Sequence, residues 1–180
     1  MLEGRNVDLK LIEKEDIPQL LEMRNRPEFW GNYESPWQTT KADTEKIFDQ
    51  QKGIKRFFIQ KKDGTRVGTM SSWDVVPEER TEFGLEIGYL MQPIERGKGY
   101  CTEAVHLLLD YLFLTYPVVR IQAHTNVGNL ASQRVLEKAG FKKEGTIRKG
   151  YYSRGKHTDG FTFSILKEEW NGPKMLKAAP

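Results

Sequence analysis

Between a strand pattern and an amphipathic helix pattern stands the run Arg96-Gly97-Lys98-Gly99-Tyr100-Cys101. The N-terminus of a helix presents unpaired N–H groups and a partial positive charge, so a loop entering one there suits a phosphate. Gly97 and Gly99 let the backbone approach such a ligand, since neither carries a Cβ. Arg96 and Lys98 add positive charge. Taken alone, the hexapeptide reads equally well as a flexible basic turn. The Walker spacing of glycines, lysine and Ser or Thr is absent, and the GxGxxG dinucleotide fingerprint fails as well.

A second candidate lies just upstream, in a strand pattern over Glu82–Met91. Its odd positions, Phe83, Leu85, Ile87, Tyr89 and Met91, are apolar and share one face of a pleated strand. On the other face Glu86 sits between Gly84 and Gly88, which leaves space around its carboxylate. Glu82 competes with it from the same face. The three histidines (His106, His124, His157) and the single Cys101 show no metal-ligand spacing, so no zinc site is expected. His124 ends a strand where it could touch a bound ligand, although a structural role is the plainer reading.

The elements that position these groups follow from periodicity. Val7–Ile12 alternates as a first strand, and Asp16 offers an N-cap to a helix over Ile17–Arg24, with Pro18 in its first turn. Residues 27–38 crowd Phe29, Trp30, Tyr33 and Trp37 into a segment with Gly, Asn and Pro, read as an irregular loop or broken helix pinned by aromatics. These rings either wall a substrate pocket or form a satellite core. Thr40–Gln51 reads as a helix. Arg56–Gln60 and Thr65–Trp73 flank Asp63-Gly64 as a hairpin. Val105, Leu108, Leu109 and Leu112 give the helix after the glycine loop a buried stripe. Val118–His124 is a strand, Asn129 caps a helix through Ala139, and Gly140 closes it. Phe141–Tyr152 and Thr158–Leu166 are the last two strands. The pattern predicts an α/β fold with a mixed, twisted central sheet of six to seven strands and flanking helices.

Composition bounds the rest. The chain has 180 residues, 38% hydrophobic and 29% charged, a globular balance that can bury a core without disulfides. Interleaved charges summing to +3 give no concentrated basic face for nucleic acid. The longest apolar run is too short for a bilayer, and the N-terminus lacks a signal-peptide core. With a lone cysteine, a cytoplasmic location is expected.

GYLMQPIERGKGYCTEA followed by NVGNLASQRVLEKAGFKKEG resembles the GNAT superfamily of acetyltransferases. The nearer likeness is to the RimJ/RimL-type branch that acetylates ribosomal-protein N-termini. It spans nearly the whole chain, including LKLIEKEDIPQLLEMRNRPE, DGTRVGTMSSW and HTDGFTFSILKEEW, and implies one GNAT domain over 1–172 with a tail at 173–180. The family loop reads Gln/Arg-x-x-Gly-x-Gly/Ala. Arg96 and Gly99 fit it, and Cys101 stands where Gly or Ala is usual. The resemblance implies acetyl-CoA as cosubstrate. N–H groups of Gly97, Lys98, Gly99, Tyr100 and Cys101 would hold its pyrophosphate, with Thr102 adding a hydroxyl. Leu90 and Met91 would pair with the pantetheine arm in a slot between their strand and Val118–His124. Asn129 would hold a pantetheine amide and Ser132 would lie near the thioester sulfur. Read from the residues alone, Asn129 is an N-cap and Ser132 a first-turn residue.

Acetyl transfer needs a neutral amine and a stabilised leaving thiolate. At pH 7 an α-amine of pKa ~8 is roughly one-tenth neutral, whereas lysine at ~10.4 is far less so. Glu86 is the candidate base, directly or through water, with a plain ion pair as its alternative. Many relatives place a tyrosine acid where this chain has Leu136, which leaves Ser132 as the candidate donor, with Tyr89, Tyr151 and Tyr152 also open. The expected acceptor is a protein N-terminus, with a polyamine or an amine-bearing antibiotic as rival. Acceptor contacts are expected from loops 27–38, 74–81 and 150–158. A non-catalytic acyl-CoA sensor is the competing class. A homodimer is common among similar proteins.

Overall fold

The computed structural model describes residues 1–50, 53–75 and 83–176. Glu82 and most of the expected loop 74–81 lie outside the described residues. The chain forms an eight-stranded sheet in the order β1-β2-β3-β4-β5-β6-β8-β7. The strands are β1 (Leu2–Glu3), β2 (Val7–Leu11), β3 (Lys55–Lys61), β4 (Arg66–Asp74), β5 (Phe83–Met91), β6 (Val118–Asn126), β7 (Lys142–Ser153) and β8 (Lys156–Leu166). Seven of these match the patterned segments. The eighth, β1, has only two residues, too few to show a period. All neighbouring strands are antiparallel except β5 and β6.

Among the described residues five helices flank the sheet: α1 (Ile17–Arg24), α2 (Pro27–Trp30), α3 (Lys41–Gln50), α4 (Tyr100–Thr115) and α5 (Leu130–Ala139). The pleat of β3 shows how the two faces are filled. Phe57 and Ile59 enter the main core with α4, whereas Phe58 between them enters a satellite core with Ile12, Leu20, Met23 and Phe29. The expected α4 stripe of Val105, Leu108, Leu109 and Leu112 is fully buried in the main core, each side chain contributing about 2 kcal/mol of burial.

Turn chemistry follows the sequence closely. Gly64 adopts φ +86° and the Asp63 carboxylate accepts the Thr65 N–H at 2.9 Å, closing the β3–β4 hairpin. Gly140 ends α5 at φ +98°, and the Phe141 N–H reaches the Leu136 carbonyl at 3.0 Å. Asp16 differs from expectation. It occupies the N-cap position of α1, but its side chain makes no capping bond. Its carboxylate instead accepts from Arg66 at 2.7 Å and Lys10 at 3.1 Å, because cations from β4 and β2 compete for it. Three residues of the segment read as a tail make contacts with α4. Buried Asp110 on α4 accepts the N–H groups of Lys174, Met175 and Leu176 at 2.7–3.1 Å. Among the described residues no helix is long and apolar enough to cross a membrane.

Candidate active site

The loop between β5 and α4 is anchored before it turns. The Gln92 N–H donates to the Val67 carbonyl and its side-chain amide to the Arg66 carbonyl, at 2.8 and 2.7 Å. One 3-10 turn, Pro93–Glu95, follows. Gly97 and Gly99 then take left-handed conformations at φ +76° and +85°. Left-handed glycines on either side of Lys98 have the backbone pattern of an anion-binding nest, and the loop runs directly into α4. A Cβ built on either glycine would meet no protein atom within 4 Å. The room above the loop therefore fits a close-approaching phosphate.

The cationic side chains expected to help are engaged elsewhere. Arg96 donates to the Met91 carbonyl through Nε and to the Phe29 carbonyl through Nη2, both at 3.1 Å. Lys98 pairs with Glu95 at 2.9 Å. The charges of Arg96 and Lys98 are thus already engaged within the protein, and Arg96 shapes the loop. Tyr100 and Cys101 pack against the main core, and Thr102 is half-buried. Burial pushes the Cys101 thiol up to about 12, so it stays protonated.

The slot beside this loop arises from strand divergence. β5 and β6 pair in parallel from Phe83↔Val118 to Glu86↔Gln122, where their register ends. β5 continues to Met91 paired with β4, and β6 continues to Asn126 paired with β8. The facing edges of Ile87–Met91 and Ala123–Asn126 are left apart, as an amide-bearing chain inserting in β-fashion requires. Leu90 and Met91 lie on that edge, and the Met91 carbonyl already accepts from Arg96. Asn129 caps α5, its Oδ1 accepting the Ser132 N–H at 3.1 Å.

The pleat sorts the polar groups onto two sides of the slot. On the face away from α4, Glu86 Oε2 accepts from Gln122 Nε2 at 3.1 Å and lies 3.4 Å from His124 Nε2. His124 Nδ1 lies 3.1 Å from Thr162 Oγ1. The Glu86 and His124 side chains are 19% and 25% exposed, so both remain reachable. The space beside Glu86 is one-sided. Gly84 is open, but at Gly88 an added Cβ would lie 3.0 Å from the Trp73 indole. Tyr151 belongs to the same side. Its phenol is raised by burial and by the carboxylates of Glu34 and Glu86, and Glu34 is itself raised by desolvation.

On the opposite face, the Tyr89 hydroxyl lies 3.0 Å from Ser132 Oγ and 3.3 Å from the Ser132 carbonyl. Leu136 is fully buried in the core. Glu86 and Tyr89 stand three residues apart, about 10 Å along the strand. The Gln122–His124 group and the Tyr89–Ser132 bond escaped the sequence reading. Both depend on which strands become neighbours, although alternation in β6 could have placed Gln122 and His124 on one face.

The four rings of the aromatic segment have different surroundings. Phe29 is in the satellite core, and Trp30 donates to the Arg24 carbonyl at 2.6 Å. Tyr33 packs over Gly128 at the approach to α5, and Trp37 is 68% exposed. Ser35 Oγ donates to the Tyr152 carbonyl at 2.9 Å and Arg154 to the Gly31 carbonyl at 3.1 Å. These bonds bring segments 27–38 and 150–158 together beside Glu86's face.

Comparison with known proteins agrees with this geometry. Residues 6–142 match the model of the acetyltransferase (GNAT) domain. The probable N-acetyltransferase YjcK of Bacillus subtilis (strain 168) is 29% identical over 181 residues, covering 94% of this chain and 98% of YjcK. YdaF of the same organism, whose assignment as a ribosomal N-acetyltransferase is itself provisional, is 29% identical over 182 residues, covering 95% and 97%. The spermidine N-acetyltransferase of Vibrio cholerae, solved with CoA and spermine, shares the fold at a TM-score of 0.79 and 20% identity, covering 91% and 97%. A left-handed glycine loop leading into a helix, a splayed parallel strand pair beside it and a match over most of the chain place this protein in the GNAT family, as an acetyl-CoA-dependent N-acetyltransferase.

Proposed function

We propose that the chain acetylates the α-amine of a protein N-terminus by direct attack of the amine on the acetyl-CoA thioester. The observation that carries this reading is the end of β5–β6 pairing at Glu86↔Gln122. It opens a passage with a carboxylate on one side of the sheet and a hydroxyl pair on the other. Gly97–Cys101 would hold the pyrophosphate, and the facing edges of β5 and β6 the pantetheine amides. Glu86 takes the proton of the attacking amine and passes it to solvent. Ser132 donates a hydrogen bond to the departing sulfur. An α-amine needs only modest help from such a base, because about a tenth of it is already neutral at pH 7. The likeness to YdaF favours the same acceptor.

A small polycation is the second reading, favoured by the carboxylates of Glu34 and Glu86 acting on one phenol, Tyr151. Two carboxylates near one acceptor site suit an amine carrying a second positive charge, and the Vibrio cholerae relative by fold is a spermidine enzyme.

Calorimetry with acetyl-CoA, followed by CoA release against N-terminal peptides and against spermidine, tests both. Release with peptides supports the first reading, and release with spermidine alone replaces it with the second. Binding without release to any amine would make the chain an acyl-CoA sensor.

A further inference from the structure

The face of β5 that carries Tyr89 poses a chemical problem. Acyl transfer from a thioester must stabilise sulfur as it leaves with the C–S electron pair, yet the side chain at Leu136 is aliphatic and sealed in the core. The polar side chains bonded to each other beside α5 are Ser132 and Tyr89. Ser132 is fixed twice: its N–H is held by Asn129 Oδ1 at 3.1 Å, and its hydroxyl lies 3.0 Å from the Tyr89 phenol.

A serine hydroxyl has one hydrogen and can accept as well as donate. If Tyr89 donates to Ser132 Oγ, the serine hydrogen is free for another acceptor. If Tyr89 donates to the Ser132 carbonyl at 3.3 Å, the serine hydrogen is drawn back to the phenol oxygen. The shorter contact favours the first arrangement. We propose that Tyr89 is a positioning residue for acetyl transfer, donating to Ser132 Oγ so that the Ser132 hydrogen is committed to the departing thiolate.

This rests on the acetyltransferase reading above. No proton leaves Tyr89. The C–N bond forms and the C–S bond breaks. The amine proton goes through Glu86 to solvent, and the thiolate is released to take up a solvent proton. Burial and the neighbouring Cys101 thiol raise the Tyr89 phenol, so it stays a donor throughout the working pH range.

The test is a double-mutant cycle with Tyr89→Phe and Ser132→Ala, read in two ways. The first is kcat with the most responsive amine. Each single variant is expected to lose about tenfold or more with little change in KM for acetyl-CoA, and the double variant to be no slower than Ser132→Ala. The second is the affinity for CoA against pH by calorimetry, with no amine present. In the parent, binding should strengthen as the thiol ionises, and both single variants should lose that strengthening equally.

Losses that multiply in the double variant, or a Tyr89→Phe protein that binds thiolate as well as the parent, would overturn the proposal. A faster Tyr89→Phe enzyme would also overturn it, by showing that the phenol restrains the serine hydrogen. If the parent binds CoA and turns over, such results remove only the role of Tyr89. A parent that neither binds CoA nor acetylates removes the acetyl-transfer reading and this inference together.

Discussion

The Arg96 guanidinium donates to the carbonyl of Phe29, 67 residues earlier in the chain, at 3.1 Å and with its Nε holds the Met91 carbonyl at the same distance. One planar group thereby ties the end of β5 to α2 and sets where the glycine loop begins. Arg96→Lys should fail to restore what Arg96→Ala loses, because an ammonium cannot reproduce the fork. Both should lower stability by about 1–2 kcal/mol and weaken CoA binding by a similar factor in urea-unfolding and calorimetric measurements. Recovery of CoA affinity by lysine would show that charge alone matters.

Gly99 separates strain from occlusion. At φ +85° any L side chain is strained, yet a Cβ there touches no protein atom. Gly99→Val should therefore cost about 1–2 kcal/mol of stability and lower CoA affinity far more, by roughly a hundredfold or greater. Equal losses by thermal unfolding and by calorimetry would mean that no ligand approaches the loop.

Glu86→Gln probes the base. Its loss in kcat/KM should be about a hundredfold near pH 7 and should shrink as pH approaches the acceptor's own pKa, ~8 for an α-amine. The solvent then deprotonates the amine without help. A variant with the parent's full pH–rate profile would exclude Glu86 from proton transfer.

Glu144 gives a stability prediction with a defined sign. Hydrogen bonds from Arg120 at 2.6 and 2.5 Å, aided by Ser164 at 2.7 Å, hold its pKa at about 2. The folded carboxylate is depressed below its unfolded value of ~4.3. Its contribution is therefore present above that value and lost as pH falls towards 2. The Glu144 side chain is 41% exposed, so screening limits the effect. Glu144→Gln should cost about 1 kcal/mol or less at pH 7, with the gap from the parent closing as unfolding is measured at successively lower pH. A pH-independent gap would assign the loss to packing.

Local chemistry was legible where it is decided locally. The Asp63-Gly64 turn, the Asn129 cap, the Gly140 terminator and the α4 stripe depend on residues within one or two turns of each other. The glycine loop and its helix were readable for the same reason, as was the alternation that puts Glu86 and Tyr89 on opposite faces of β5. Contacts across the sheet were decided only by the fold. That Trp73 covers Gly88, that Gln122 and His124 meet Glu86, and that Tyr89 reaches Ser132 all follow from strand register and helix docking, which no single segment encodes. Arg96 and Asp16 show the same limit. Their sequence positions suggested a phosphate ligand and a helix cap, yet each side chain is engaged by a partner far away in the chain, Phe29 for Arg96 and Arg66 for Asp16. The sequence by itself determined the elements, their faces and the glycine turn before α4, because backbone propensity and periodicity act over short range. Tertiary structure alone decided which side chains share the slot, because that depends on where β5 and β6 part.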